Sequence, residues 1–349
     1  MKKEIGIIAV GQAAGNIGLK LQEKGYNVLF INASDEDLET LKQAKFKYHI
    51  PGGEGCNKNR NKAKELTVEN FDGIYGEIES KIKESFIYVM FSAGGGTGSG
   101  SSPMLIDLLI QECNKKVGAI TIIPAESEPL KTHINAYECM QELADIDGIC
   151  STIVLDNNVC ENKLSINKDF VEAFDLMMDM PSHRDVRGNI DKAELKEILE
   201  TRGMLTITST DKKDNVVAAL LESFKSNIYA PFEGDKVIKY VGIVSSKQIE
   251  MQEIEKEVGN YLDVFTGYDN GPTVCVLSGL SLPFKRLEGI KDKVLNSQDT
   301  VKRNLKATME NKLKDNINFL DDDSLIKNTS NKKANNAKND IFAKYRKAK

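Results

Sequence analysis

The 349 residues suit two core domains and a tail, because a single core rarely grows past about 250–300 residues, and a composition of 40% hydrophobic and 28% charged residues is typical of a soluble globular protein. A net charge of −5 excludes a molecule that binds nucleic acid over its whole surface, so any basic surface must be local. Six scattered cysteines without a CxxC pair indicate reduced thiols rather than a disulfide framework or a zinc site.

The chain opens with a short apolar run, IGIIAV, which passes directly into a glycine loop. This run predicts a first strand at residues 5–10 rather than a signal peptide. No segment approaches the roughly 18 apolar residues that a membrane span requires. We therefore expect a cytoplasmic protein with no membrane partner.

Short β-branched runs alternate with helical patterns through the first half of the chain. The predicted strands are residues 5–10, 28–31, 86–91, 119–123 and 152–155. The predicted helices are residues 15–24, 34–43, 70–83, 103–114 and 135–145. This alternation predicts βαβ units and a parallel sheet covered by helices, and such sheets bind ligands at the carboxyl ends of their strands.

A second α/β region follows an apolar helical pattern at residues 164–180, which Pro181 ends. The helices predicted in this region are residues 195–200, 216–226 and 250–262. The predicted strands are residues 204–208, 237–245 and 273–280. From residue 284 to about 320 the pattern predicts one long charged helix, and the chain beyond residue 323 is rich in Asn, Lys and Ala.

The strongest chemical signal is the segment AGGGTGSG at residues 93–100, which follows the predicted strand 86–91. Its five glycines permit positive φ angles and let the backbone approach an anion without interference from Cβ atoms. Successive N–H groups and the dipole of the following helix would then bind phosphate, with hydroxyl donors from Thr97 and Ser99. Glycines this dense between a strand and a helix disfavour the alternative of a flexible turn.

Three further loops follow predicted strands at the same edge of the sheet. Residues 11–18, GQAAGNIG, match neither the P-loop nor the dinucleotide fingerprint, so a tight turn stays open as an alternative. Residues 32–35, NASD, favour a helix N-cap, and the glycine-rich residues 51–60 carry two cations. Each loop alone suits an ordinary connection, but four such loops on one edge predict a site for a large phosphorylated ligand.

Together these segments resemble the tubulin/FtsZ family. The resemblance rests on GQAAGN, INASDEDL and GGGTGSG, each placed after a strand, and it spans roughly residues 4–285. Within the family, the long helix and the basic tail are more similar to the TubZ branch, the plasmid- and phage-encoded partitioning tubulins, than to FtsZ. The resemblance implies a tubulin/FtsZ-like α/β fold with a parallel-sheet nucleotide-binding domain, and proteins that bind GTP and polymerise head to tail.

The resemblance also implies a division of the chain and a set of cofactors. The segments are a GTP-binding domain at 1–163, a central helix and connection at 164–188, a smaller α/β activation domain at 189–283, a long C-terminal helix at 284–322 and a basic, disordered tail at 323–349. The cofactors are GTP or GDP and Mg²⁺. Mg²⁺ would bridge phosphate oxygens, and no residue is assigned as its ligand.

Carried over position by position, the resemblance implies individual nucleotide contacts. The residues expected around the α- and β-phosphates are Gln12, Ala13, Gly15 and Asn16, and Gly11 and Asn32 are expected to bind the nucleotide as well. The residues expected around the β- and γ-phosphates are Gly95, Gly96, Thr97, Gly98 and Ser99, and those of the γ-phosphate sensor are Gly53, Gly55 and Asn57.

Three residues are expected on the ribose and base side. The resemblance places Glu128 at the ribose and Asn157 at the guanine edge, where an amide can both donate and accept hydrogen bonds. It places Phe174, or alternatively Phe170, on the base as a stacking partner. An aromatic residue at helical spacing is otherwise a core residue, and that alternative stays open.

The candidate for hydrolytic chemistry lies in GNIDKAEL, residues 188–195. Asp191 and Glu194 stand three residues apart at a helix start, so their carboxylates project from one face. The spacing suits a capping box equally well. The resemblance favours catalysis, because the segment is similar to the family's NxDxxD loop, which enters the nucleotide pocket of the adjacent subunit and there would orient water. Glu194 departs from the aspartate of that pattern.

The basic tail predicts an interaction partner. Residues 327–349 contain eight cationic residues and one acid, and such blocks are commonly disordered interaction tails. The resemblance favours a DNA-bound, TubR-like centromere adaptor as the partner. Direct DNA binding through phosphates is disfavoured but stays open, as does a solvated tail without a partner.

Two other classes of function stay open on the residues alone. A nicotinamide-dependent oxidoreductase would use residues 11–18 as its dinucleotide turn and Asp35 for the ribose, but it explains neither GGGTGSG nor Asn157. A GTP-dependent scaffold without a role in DNA segregation would polymerise without cleaving nucleotide. The presence of Asp191 argues against such a scaffold.

Overall fold

The computed structural model describes residues 1–212, 214–233 and 238–310, with side chains described as far as residue 297. In these ranges ten strands form one sheet. The strands are β1 (Ile5–Val10), β2 (Asn27–Asn32), β3 (Phe46–His49), β4 (Phe86–Ser92), β5 (Lys116–Ile123), β6 (Ser151–Asp156), β7 (Gly203–Thr210), β8 (Ile238–Ser245), β9 (Tyr261–Tyr268) and β10 (Thr273–Leu280).

The helices fill the connections between these strands. They are α1 (Gln12–Glu23), α2 (Asp35–Thr40), α3 (Arg60–Glu69), α4 (Phe71–Lys81), α5 (Thr97–Gln111), α6 (Leu130–Ala144), α7 (Lys163–Asp179), α8 (Lys192–Glu200), α9 (Val216–Lys225), α10 (Met251–Val258) and α11 (Phe284–Glu310). Among the described residues, no helix combines the length and the hydropathy that crossing a bilayer would require.

The strand order is β3-β2-β1-β4-β5-β6-β7-β10-β8-β9. Strands β1 to β7 pair in parallel, whereas β10 is antiparallel to both β7 and β8. The carboxyl ends of β1 to β6 therefore meet at one edge of the sheet. This confirms the predicted α/β class with a parallel sheet.

Helices cover both faces of the sheet, as the burial of β1 shows. Every residue of β1 is buried, with Ile5, Ile7 and Ala9 in one hydrophobic core and Ile8 and Val10 in the other. Successive side chains of a strand point to opposite faces, and a parallel strand buried on both faces is a continuous apolar run rather than an alternating one. The run IGIIAV therefore fits the centre of the sheet.

Several predicted boundaries differ from the structure for identifiable reasons. The prediction of a helix at 250–262 is wrong at its end, because Gly259 at φ +87 ends α10 and Tyr261 begins β9. Strand β3 was not predicted, since its residues are only partly buried at the edge of the sheet and form no apolar run. The predicted helix 103–114 begins six residues earlier, inside the glycine segment, because Thr97 already starts α5.

The predicted stacking role of Phe174 is replaced by a core role. Phe174 and Phe170 are both 0% exposed, and the ring centroid of Phe174 lies 5.5 Å from that of Tyr26 and 5.7 Å from that of Tyr88. A ring enclosed in this way offers no face to a nucleotide base. The alternative noted from the sequence, an aromatic core residue at helical spacing, is the one that the structure shows.

The last part of the chain falls outside the described residues. Helix α11 begins at the predicted residue and is described to Glu310. The predicted continuation of this helix to about residue 320 and the basic tail 323–349 lie beyond the described range.

Replacement of Phe174 by Ala should reduce the free energy of unfolding by about 3–5 kcal/mol, because a buried aromatic ring leaves a cavity. Urea unfolding followed by circular dichroism measures this loss. Leu164→Ala in the same helix is the control, since Leu164 is 66% exposed and surface changes usually stay within about 0.5 kcal/mol. Equal effects of the two substitutions would contradict the core assignment.

Candidate functional site

A cavity of about 290 Å³ opens where β1, β2, β3 and β4 end at one edge of the sheet. Its walls are the four loops that follow these strands. The lining residues are Val10, Gly11, Gln12, Ala13, Asn32, Ser34, Asp37, Gly55, Cys56, Asn57, Ser92, Gly95, Gly96, Thr97 and Gly98. The structure therefore brings the four predicted ligand loops together into one site.

Two helices begin at this cavity, α1 at Gln12 and α5 at Thr97. Their N-cap residues are Gly11 and Gly96, and no described side chain caps either first turn. First-turn N–H groups lack partners within their helix and carry the positive end of its dipole. None of the residues lining the cavity is Lys or Arg, so the positive potential of its wall comes from backbone N–H groups, as in other anion sites at helix starts.

Glycine is required where these loops touch. A Cβ atom added to Gly96 would lie 2.9 Å from Cβ of Cys56 and 2.9 Å from the backbone N of Lys58. A Cβ atom added to Gly11, whose φ is +84°, would lie 3.3 Å from the backbone N of Gly98. The loop after β4 therefore lies directly against the loops after β1 and β3, and side chains would separate them.

Asn135 of α6 joins two of the cavity loops from behind. Its Nδ2 atom donates to the carbonyl oxygen of Gly95 at 2.7 Å and to that of Lys58 at 3.0 Å. Asn135 is 5% exposed, so this amide is protected from water and its hydrogen bonds are correspondingly strong. It fixes the loop of residues 51–60 against the glycine segment.

Arg60, at the first position of α3, braces the same region. Pro103 has no N–H group to donate to the carbonyl of Ser99 within α5, and Nη2 of Arg60 donates to that carbonyl instead at 3.1 Å. The guanidinium also pairs with Glu138 at 2.8 Å and with Glu142 at 2.7 Å. The carbonyl of Ser99, which Pro103 leaves without a donor in the helix, is thereby hydrogen-bonded to a buried cation that links α3, α5 and α6.

The loop after β2 adds a carboxylate to the cavity. Oδ2 of Asp37 accepts from Nδ2 of Asn32 at 3.1 Å, and Oγ of Ser34 accepts from the backbone N–H of Asp37 at 3.1 Å as the N-cap of α2. Asn32 was predicted to contact the ligand, and the structure places it at the cavity. Asp37 was not predicted, although it lies within the quoted segment INASDEDL.

Not every predicted phosphate-side residue lines the cavity. Those that stand behind it or outside it are Gly15, Asn16, Gly53 and Ser99. Cβ atoms on Gly15 and Gly53 would lie 2.9 Å and 2.6 Å from neighbouring atoms, so both glycines permit close packing. The hydroxyl of Ser99 donates to the carbonyl of Gly95 at 2.6 Å, and Asn16 is exposed on α1.

Glu128 and Asn157 form a second cluster at the same edge, beyond the ends of β5 and β6. Oε1 of Glu128 accepts from Nδ2 of Asn157 at 3.2 Å, from the ammonium of Lys163 at 2.7 Å and from the backbone N–H of Ala125 at 3.2 Å. Partial burial would raise the pKa of Glu128, but these three donors together hold it below its ordinary value. The carboxylate is therefore ionised and held beside the Asn157 amide.

Asp191 and Glu194 form a capping box at the start of α8. Oδ1 of Asp191 accepts from the backbone N–H groups of Ala193 and Glu194 at 2.7 Å and 2.9 Å, and Oε2 of Glu194 accepts from that of Asp191 at 2.7 Å. The capping interpretation drawn from the spacing is confirmed. The box uses one oxygen of each carboxylate.

Comparison with known proteins shows which of them share this architecture. The tubulin/FtsZ family GTPase domain matches residues 4–164. The tubulin-like protein TubZ of Clostridium botulinum C phage is 30% identical over 360 residues, which cover 99% of this chain and 100% of that protein. The crystal structure of Clostridium botulinum phage c-st TubZ has a TM-score of 0.79 at 28% identity and covers 86% of this chain and 100% of that one.

The chain belongs to the tubulin/FtsZ family. The resemblance predicted from GQAAGN, INASDEDL and GGGTGSG is confirmed, and GTP or GDP is the nucleotide of the matched domain. The tubulin-like protein CetZ of Methanothrix thermoacetophila is a more distant relative at 28% identity, covering 65% of this chain and 67% of that protein.

In this member of the tubulin/FtsZ family, the acidic pair, Asp191 and Glu194, lies at the opposite edge of the sheet from the cavity. Lys192 and Lys196 of α8 both pair at 2.7 Å with Glu4, which immediately precedes β1, and they lower the pKa of Glu4 to about 2. Gly11, which immediately follows β1, lines the cavity. The six residues of β1 separate the two regions by roughly 20 Å at about 3.3 Å per residue.

Replacement of Gly96 by Ala should weaken GTP binding at least about tenfold, because the new Cβ atom would force apart the loops at Cys56 and Lys58. Equilibrium dialysis with GTP measures the loss. Gly76→Ala in α4 is the matched control, since a Cβ atom there meets nothing within 4 Å and Ala favours a helix by about 0.5–1 kcal/mol. A folded Gly96→Ala protein with unchanged affinity would contradict the close-approach argument.

Proposed function

We propose that this protein is a polymerising GTPase of plasmid or phage DNA partitioning, in which the acidic pair of one copy completes the nucleotide site of the next. The observation that carries the proposal is that the nucleotide cavity and the pair Asp191 and Glu194 lie at opposite ends of β1. Roughly 20 Å is too far for Asp191 to reach water at a phosphate bound in its own subunit. A head-to-tail stack brings the amino-end edge of one copy onto the carboxyl-end edge of another.

The nucleotide would lie along the carboxyl edge of the sheet. Backbone N–H groups at the starts of α1 and α5 would bind the phosphates, and residues 55–57, which line the same cavity, would sense the γ-phosphate. Mg²⁺ would supply positive charge beside the phosphates, which suits a cavity with no Lys or Arg in its wall. This chain's own part is to hold the phosphates and keep the loops closed around them.

Glu128 and Asn157 suit the ribose and the guanine base. An ionised carboxylate accepts hydrogen bonds from ribose hydroxyls. Nδ2 of Asn157 already donates to Glu128 at 3.2 Å, which orients Oδ1 as the atom left to accept from guanine N–H groups. The pair would therefore read two adjacent parts of one nucleotide.

The capping box is compatible with catalysis in a neighbouring copy. Asp191 is exposed, and Oδ2 of Asp191 and Oε1 of Glu194 have no hydrogen-bond partner among the described residues. The cap fixes each carboxylate through one oxygen and leaves the other free to orient a water molecule. The same geometry that stabilises α8 would thus preorganise the catalytic pair.

Relatives support assembly. A TubZ of Bacillus thuringiensis serovar israelensis has been solved as a protofilament, and its TM-score to this chain is 0.73 at 16% identity, a likeness of fold alone. The full-length relation to the phage TubZ at 30% identity supports the partitioning role. In that role, the basic tail would bind a DNA-bound, TubR-like adaptor.

Asp191→Asn should separate capping from catalysis. Asn is as good an N-cap as Asp, so α8 should keep its stability, whereas phosphate release should fall on the order of 10²–10⁴-fold and filaments should persist in GTP. For the native protein, phosphate release per subunit should rise steeply with protein concentration. Light scattering and phosphate release over a concentration series measure both quantities.

A mixed assembly supplies the control for this test. Gly96→Ala has intact acids and a damaged pocket, and Asp191→Asn has the reverse, so co-assembled subunits should recover part of the turnover that each lacks alone. Co-sedimentation verifies that the two variants assemble together. Co-assembly without recovery, or equal turnover in dilute and concentrated native protein, would refute the shared site; filaments without phosphate release in the native protein would favour a scaffold.

Deletion of residues 327–349 should leave GTP hydrolysis and filament formation intact and abolish binding of the adaptor–DNA complex, because the deletion removes eight cations but no residue of the proposed site. Co-sedimentation with a TubR-like adaptor on its DNA, with duplex DNA alone and with neither partner, measures this. Retained adaptor binding would contradict the assignment. Loss of binding to bare duplex DNA would indicate direct phosphate contacts instead.

A further inference from the structure

The C-terminal helix α11 contacts the two loops that carry Glu128 and Asn157. Nε of Arg286, in the first turn of α11, donates to Oδ2 of Asp156 at 2.7 Å, and its Nη2 donates to Oδ1 of Asp156 at 3.2 Å. Nη2 also donates to the carbonyl oxygen of Pro124 at 2.7 Å. Asp156 is the last residue of β6 and Pro124 follows the last residue of β5, so one guanidinium joins both strand ends.

This ion pair is buried. The side chain of Asp156 is 2% exposed and that of Arg286 is 12% exposed. Removing one member of a buried pair leaves an uncompensated charge, which makes such a contact far more costly to break than a surface pair. The planar guanidinium also fixes the orientation of the Asp156 carboxylate relative to the Pro124 carbonyl, because its donors form a rigid fork.

Asn157 and Glu128, which are proposed to read the nucleotide, lie in the loops that begin at the anchored residues Asp156 and Pro124. Oδ1 of Asp156 accepts from the backbone N–H of Asn158 at 2.9 Å, and the side chain of Asn158 accepts from the backbone N–H of Glu126 at 3.0 Å. In the chain, Asn157 lies between Asp156 and Asn158, and its Nδ2 atom donates to Glu128. The position of the Asn157 amide is therefore set by the loop that Arg286 holds.

A second residue on the same face of α11 supports the docking. Lys293, seven positions after Arg286 and so two turns along the helix, donates to the carbonyl oxygen of Glu126. Its ammonium also lies 3.4 Å from Nε2 of the fully buried His133 in α6. Helix α11 thus contacts the loop of residues 124–129 at two points, Pro124 and Glu126.

We propose that Arg286 is a positioning residue for guanine selectivity, contributed by the C-terminal helix. By holding Asp156 and Pro124 it sets the place of the Asn157 amide and of Glu128, although it touches no nucleotide itself. The inference rests on the proposed function, since it assumes that Asn157 reads guanine. Coupling is reciprocal, so a bound guanine nucleotide stabilises the docked position of α11 to the same extent.

Arg286→Met is the main test, because it keeps most of the side-chain volume and removes the charge and all donors. GTP affinity should fall roughly tenfold, because a displaced Asn157 amide would lose its hydrogen bonds to guanine. ITP lacks the exocyclic amino group that Oδ1 of Asn157 would accept from, so its affinity should fall less and the GTP-to-ITP affinity ratio should decrease. Equilibrium dialysis below the assembly concentration measures both nucleotides.

Two further variants keep the test decisive. Lys291→Met, an exposed position on the same helix, should leave the affinity ratio unchanged. Arg286→Lys keeps the charge but loses the fork, so its ratio should lie between those of the native protein and Arg286→Met, and it replaces Arg286→Met if that protein does not fold. Circular dichroism establishes folding in each case.

The outcomes separate the inference from the proposed function. Native protein that binds GTP no better than ITP would remove the guanine-reading role of Asn157 from the proposed function, and the positioning role of Arg286 with it. Native selectivity that persists in folded Arg286→Met and Arg286→Lys would overturn the positioning role alone. Equal weakening of GTP and ITP in these variants would also overturn it, because it would show a general loss of structure rather than a displaced amide.

Discussion

The direction and length of one buried strand constrain the whole molecule. Strand β1 has the glycine turn of the nucleotide cavity at its carboxyl end and, at its amino end, Glu4, which holds α8 through two lysines. A parallel sheet cannot bring its two edges together, since every strand separates them by its own length. Any chemistry that needs groups from both edges therefore requires a second molecule, and assembly becomes a condition of catalysis under the proposed function.

The cavity satisfies a second constraint, the binding of a highly charged ligand without cationic side chains in the wall. Two helix starts supply N–H groups, and they converge because glycine at 11 and at 96 lets the loops touch. Such a site depends on loop position more than on any one side chain. Asn135 and Arg60 provide that position from α6 and α3, through buried hydrogen bonds to the backbone of the phosphate loops.

The sequence predicts local features well and long-range ones poorly. Residues 5–10 and 273–280 are strands with the predicted limits, and the four ligand loops meet, because apolar runs and glycine clusters are local signals. The aromatic spacing of α7 did not reveal which side Phe174 faces, since a helix buried among aromatic rings and one beside a ligand have the same pattern. Asn135 and Arg286 gave no signal, because their partners are remote in sequence and a polar residue on a helix suggests a solvated face.

Helix α11 connects the loops that carry Glu128 and Asn157 with the C-terminal part of the chain. The helix is charged and amphipathic, yet Arg286 and Lys293 attach it to the strand ends of β5 and β6 rather than to a neutral part of the surface. A contact of this kind acts in both directions, since whatever stabilises the loop stabilises the helix by the same free energy. Under the proposed function, a partner that binds α11 would then change the affinity for guanine nucleotide without touching the cavity, and nucleotide exchange would change the stability of the docked helix.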